Sequence, residues 1–126
     1  MPKISYDTSA DWQTWTWTNC EVATDGLVQL AAGALEGYGT SPVIYAVNWR
    51  HWGRLTLTGT VPQGCAVYLY VRSGQTEAEC EAADWLGPFD VWRDGQAVLD
   101  LRTIYLSNPG APVGPYLQLK IHLEAE

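Results

Sequence analysis

Positive charge is scarce in this chain. Lys and Arg together number seven against fourteen Asp and Glu, a formal net charge of −7. Proteins that grip nucleic acid displace counterions from phosphates with clustered Lys and Arg. Seven scattered cations therefore argue against DNA, RNA and anionic membrane surfaces as partners. Histidine is scarcer still, with only His51 and His122. Cysteine occurs three times, at Cys20, Cys65 and Cys80, with no C-x-x-C pair. Such a set matches no zinc-ligand spacing. An odd count at long spacings reads as reduced thiols in a protein made in the cytosol. Met1-Pro2-Lys3-Ile4-Ser5-Tyr6 has no apolar core of a signal peptide. No apolar run reaches the roughly 18 residues needed to span a bilayer.

Catalytic signatures are missing too. There is no G-x-S-x-G, H-E-x-x-H, P-loop or G-x-G-x-x-G. Asp25 and Asp94 lie in turn sequences, and Asp100 lies outward between Leu99 and Leu101. No carboxylate pair of the kind a glycosidase needs stands out. The chain therefore reads as a non-enzyme that requires no cofactor and no metal. A structural Ca²⁺ held by loop carboxylates and carbonyls is the alternative to no metal, although no Ca²⁺ motif is present.

What is present is a single all-β domain spanning residues 1–126. That length fits one domain, and one of this size buries about two-thirds of its unfolded surface. Hydrophobic residues make up 47%, enough for a core. Gly and Pro punctuate short alternating segments, the rhythm of a sandwich or barrel. In the clearest segment Leu117, Leu119, Ile121 and Leu123 face one way and Gln118, Lys120, His122 and Glu124 the other. Val67, Leu69 and Val71 alternate with Tyr68, Tyr70 and Arg72. Leu55 and Leu57 alternate with Arg54, Thr56 and Thr58. Thr24-Asp25-Gly26 marks a hairpin. Val61-Pro62-Gln63-Gly64 and Arg93-Asp94-Gly95-Gln96 mark turns. Asn108 to Pro115 is a Pro/Gly loop. Ser73 to Asp84, with Glu77, Glu79 and Glu81 among alanines, has the makings of one or two helical turns, but three like charges and no apolar stripe favour an exposed, mobile loop. These features predict an antiparallel two-sheet β-sandwich of about eight strands with little helix.

Aromatic residues are the unusual excess: seven Trp and seven Tyr against one Phe and one Met. Trp15 and Trp17 share a face if extended, with Trp12 nearby, and Trp49 and Trp52 flank Arg50-His51. Such rings either fill a sandwich core or form a platform for sugar rings. Tyr68, Tyr70 and Arg72 on one strand face, with Arg54 on another, are the residue types that enrich protein interfaces. The candidate ligand or interface residues are thus Trp12, Trp15, Trp17, Trp49, Arg54, Tyr68, Tyr70 and Arg72. His122 reads as an ordinary surface residue.

A set of ordered pieces resembles a β-sandwich module of bacteriophage and prophage tail and baseplate proteins, with the jelly-roll topology of galactose-binding-like (discoidin-like) domains. The pieces are Asp25-Gly26-Leu27-Val28-Gln29-Leu30, Gly39-Thr40-Ser41-Pro42-Val43-Ile44-Tyr45, Trp52-Gly53-Arg54-Leu55-Thr56-Leu57-Thr58-Gly59-Thr60-Val61-Pro62, Val67-Tyr68-Leu69-Tyr70-Val71-Arg72-Ser73-Gly74, Trp85-Leu86-Gly87-Pro88 and Tyr116-Leu117-Gln118-Leu119-Lys120-Ile121. They cover roughly residues 12–124. Here the loop before the Tyr-Leu-Gln strand is longer than is usual in the family. The resemblance implies a virion component, non-catalytic, working through contacts with other tail proteins or by self-association. Its alternative is a carbohydrate-binding module for host surface glycans. It also implies that Trp52 packs between the sheets and that Gly53 lets backbone pass closely.

Overall fold

A computed structural model describes residues 14–22, 28–31, 33–47, 49–58, 65–93 and 96–125. Eleven strands appear among them, against the eight or so anticipated: β1 (Thr16–Thr18), β2 (Cys20–Val22), β3 (Val28–Leu30), β4 (Glu36–Thr40), β5 (Ile44–Tyr45), β6 (Arg54–Thr58), β7 (Cys65–Gly74), β8 (Leu86–Phe89), β9 (Trp92–Arg93), β10 (Gln96–Asp100) and β11 (Tyr116–Ala125). The extra strands are two- and three-residue pieces too short to show alternation in the sequence.

The strands form an all-β sandwich. Its larger sheet has the order β1-β4-β11-β7-β8, with β5 also on β11. Its smaller sheet has the order β6-β10-β9, and β2 and β3 form a separate pair. Every pairing among the described residues is antiparallel. The longest ladder joins β11 to β7, from Tyr116 opposite Gly74 to Ala125 opposite Cys65. Period-two alternation sends Leu69, Val71, Leu117, Leu119 and Ile121 into the core beside Ala97 and Leu99 of β10. Leu55, Leu57, Val67 and Leu123 pack against that core half-buried. Each fully buried side chain of this kind contributes about 1.5–3 kcal/mol.

The turns at Thr24-Asp25-Gly26 and Val61-Pro62-Gln63-Gly64 lie outside the described residues, as do Asp94 and Gly95. The flanking strands β2 and β3 do pair, as do β9 and β10. The strands on either side of Val61–Gly64, β6 and β7, belong to different sheets.

Two expectations need correction. The segment after β7 is not a loop: Glu77–Ala82 form a helix, α1. Thr76 Oγ1 accepts the Glu79 amide at 3.1 Å, and Glu79 reaches back to the Gln75 amide at 2.8 Å. Reciprocal capping of this kind starts a helix without an apolar stripe. A single buried residue, Cys80, pins it to β7 beside Gly74. Gly53 provides no close passage, since a Cβ there would meet open space; its carbonyl accepts the Leu101 amide at 2.9 Å. A second helix, α2 (Leu101–Ser107), follows β10 directly, with the exposed Asp100 carboxylate capping the Thr103 amide at 3.2 Å.

One end of the sandwich is closed by a buried serine. Ser73, fully buried, accepts the Gly114 amide at 3.0 Å and lies 2.6 Å from the Tyr116 carbonyl. The half-buried Trp52 indole joins this node, donating to the Gly114 carbonyl at 2.8 Å and reaching Ser73 Oγ at 3.3 Å. Any Cβ on Gly114 would collide with the Gly74 backbone. The Pro/Gly loop is thereby clamped to the end of β7.

Candidate functional site

The alternation that buries Leu69 and Val71 turns Tyr68, Tyr70 and Arg72 to the other side of the large sheet. Register then decides their neighbours. Tyr68 pairs with His122, which pairs with Tyr38. Tyr70 pairs with Lys120, which pairs with Thr40. Arg72 pairs with Gln118. Three adjacent strands thus carry a continuous outer face of aromatic and basic side chains.

Lys120 is its centre. Its ammonium lies 4.4 Å from the Tyr70 ring centroid, 4.9 Å from that of Trp85 and 5.8 Å from that of Tyr38. Cations over ring faces are attracted by the ring quadrupole. Partial burial lowers the Lys120 pKa from its ordinary value, and the nearby Arg72 charge lowers it further. Arg72 lies 4.2 Å above the same Trp85 indole. Its Nε and Nη2 both donate to Gln118 Oε1, at 2.8 and 2.6 Å. Gln118 in turn donates to the Ser41 carbonyl at 2.8 Å, which locks the guanidinium in place.

Toward the other end, His122 stacks on Tyr38 with centroids 4.4 Å apart and planes 9° apart. Its Nε2 lies 3.3 Å from Glu36 Oε2. His122 is therefore a packed member of this face, not a loose surface residue. Glu36 stands directly opposite Glu124. Charge is segregated along the face, with Arg72 and Lys120 at one end and Glu36 and Glu124 at the other.

No known protein family, curated protein or solved structure matches the chain. Its site is therefore read from geometry alone.

The other sequence-derived candidates lie elsewhere. Trp15 is 5% exposed and sits in the core, stacked on Trp17 at 5.7 Å. Trp17 packs against the core over Gly39, where any Cβ would overlap its ring. Trp17 remains half-buried. Trp49 is half-buried between β5 and β6, its Nε1 buried and without a hydrogen-bond partner among the described residues. Arg54 is exposed on the smaller sheet, in register with Asp100. Trp12 lies outside the described residues. Among the described candidates, Tyr68, Tyr70 and Arg72 share the outer face of the large sheet.

Tyr38 and Trp85 complete the face without being candidates from sequence. Glu36-x-Tyr38-x-Thr40 does carry the period-two signal, hidden by the flanking glycines. Nothing local places Trp85 over Arg72. Among the described residues, no group of His, Cys, Asp or Glu could hold a metal ion, and no helix is long and apolar enough to cross a membrane.

Proposed function

We propose that this chain is a non-catalytic structural component of a phage tail, baseplate or related particle, and that it works through protein contacts made by the outer face of its large sheet. The observation that carries the contact role is the convergence of Tyr38, Tyr68, Tyr70, Trp85, Arg72 and Lys120 on one side of three strands. Aromatic residues and Arg dominate the energetics of protein interfaces. A strand face meant only for water carries Thr, Lys and Glu instead. The virion setting rests on the ordered sequence resemblance to tail modules, and other tail proteins are the partners it implies.

Sugar recognition is the weaker reading of the same face. Stacking a sugar requires a free ring face, and here Lys120, Arg72 and His122 already occupy faces of Tyr70, Trp85 and Tyr38.

The test is the double variant Tyr68→Ser/Tyr70→Ser. Incorporation into the parent particle should fall while the isolated domain keeps its melting temperature within a few degrees. Unchanged incorporation would refute the assignment of this face. Electron microscopy of the particle, with this chain located in it, tests the setting.

A further inference from the structure

Resting on the reading of this face as a contact surface, we infer that its occupant is a second copy of the same chain, related by a two-fold axis that crosses β11 at His122. The charge pattern of the face carries the inference. Glu36 and Glu124 are directly opposed across β4 and β11. Like charges placed so are destabilising in a sheet. At the other end Lys120 and Arg72 crowd one indole, and among the described residues neither has an ion-pair partner. Within one copy the basic and acidic ends do not meet, and Glu36 has the His122 ring beside it at 3.3 Å. Four residues of strand, about 13 Å, separate Lys120 from Glu124.

A second copy relieves both ends through the one pair that the register brings together twice, Lys120 with Glu124. Lys120 and Glu124 lie two residues on either side of His122 on the same face of β11. A two-fold axis in the plane of the interface, perpendicular to β11 at His122, reverses the strand. It sets Lys120 of each copy opposite Glu124 of the other. An isologous interface requires a self-complementary surface of this kind, because each contact occurs twice. The ring cluster of Tyr68, His122 and Tyr38 between the charged ends supplies the aromatic centre that such contacts use. An acidic peptide would satisfy only the basic end and leave Glu36 and Glu124 opposed.

The experiment uses charge exchange. Wild-type chain should sediment as a reversible dimer. Lys120→Glu alone leaves each interface with acidic residues only at these two positions, and Glu124→Lys alone with basic residues only. Each should weaken dimerisation by about tenfold or more. Mixed in equal amounts, the two variants should recover a dimer. Both positions of the acidic variant then face the basic side chains of the other. Circular dichroism melting confirms that each variant folds. The carboxylate introduced by Lys120→Glu gains Arg72 as a neighbour, and Glu124 is exposed, so neither change empties the core. A wild type that stays monomeric at high concentration overturns the inference. So do single variants that dimerise as well as wild type, or a mixture that stays monomeric. A monomer whose incorporation into the particle still depends on Tyr68 and Tyr70 would overturn the self-pairing and leave the assembly role standing.

Discussion

Ser73 Oγ accepts the Gly114 amide at 3.0 Å and lies 3.1 Å from the Gly114 carbonyl, so one buried hydroxyl ties the end of β7 to the loop that enters β11. Replacing it with Ala leaves the Gly114 amide without its buried acceptor. Orphaning a buried donor costs about 1–3 kcal/mol. Ser73→Ala should lower stability by that amount in urea unfolding. Trp52, whose indole shares the node, should show altered fluorescence. A neutral substitution would show that the loop is held by other contacts.

Gly39 lies beneath the Trp17 ring, so Gly39→Ala forces the indole off the sheet. Overpacking of this kind costs about 1–3 kcal/mol. In a double-mutant cycle with Trp17→Leu, the two costs should sum to more than the double variant loses, because the smaller side chain makes room for the new methyl. Additive costs would mean that Gly39 serves the backbone rather than the ring.

Burial, with the nearby Cys80 adding to it, pushes the Tyr105 phenol above its ordinary value of 10.0. The raised value means that the folded state holds this proton longer than the unfolded chain does. The associated stability is complete below the ordinary phenol range and is lost as pH rises through the folded value. Among the described residues the buried hydroxyl also has no hydrogen-bond partner. Tyr105→Phe should therefore stabilise the domain at neutral pH by about 1 kcal/mol. It should also flatten the alkaline loss seen in thermal melts taken from about pH 9 upward.

Cys20 and Cys80 are free thiols, and burial raises both above the ordinary thiol range. A thiol reagent in denaturant should count three per chain, the number in the sequence. In the native protein Cys80, wholly buried on the inward side of α1, should react only as fast as that helix opens. A denatured count of one would reveal a disulfide.

Much of the sandwich was legible because β7 and β11 alternate cleanly, and alternation reports which side chains face inward. The face of Tyr68, Tyr70 and Arg72 followed from the same rule. The composition of the site did not. Tyr38 and Trp85 reach it through pairings set by sheet register and by the path of the chain after α1, and no local pattern encodes either. The same limit explains α1 and α2. Each is short and begins at a side-chain cap, Thr76 or Asp100, so hydrophobic periodicity has little to report. Trp15 and Trp17 look alike in sequence whether they serve a core or a ligand. The small Gly39 beneath Trp17 is the clue that they are packed.

β11 is flanked by β7 on one side and by β4 and β5 on the other, although it follows all three in the chain. During synthesis residues up to Pro115 leave the ribosome before the strand that joins them. Until Tyr116–Ala125 emerges, β7 and β4 present unsatisfied backbone edges to any passing strand. Closing the sheet requires pairing across long stretches of sequence, which slows folding. Exposed edges in that interval invite pairing with other nascent chains. High expression should therefore strain this protein through its folding intermediate more than through its native state, and chaperone supply or slower translation should raise its soluble yield.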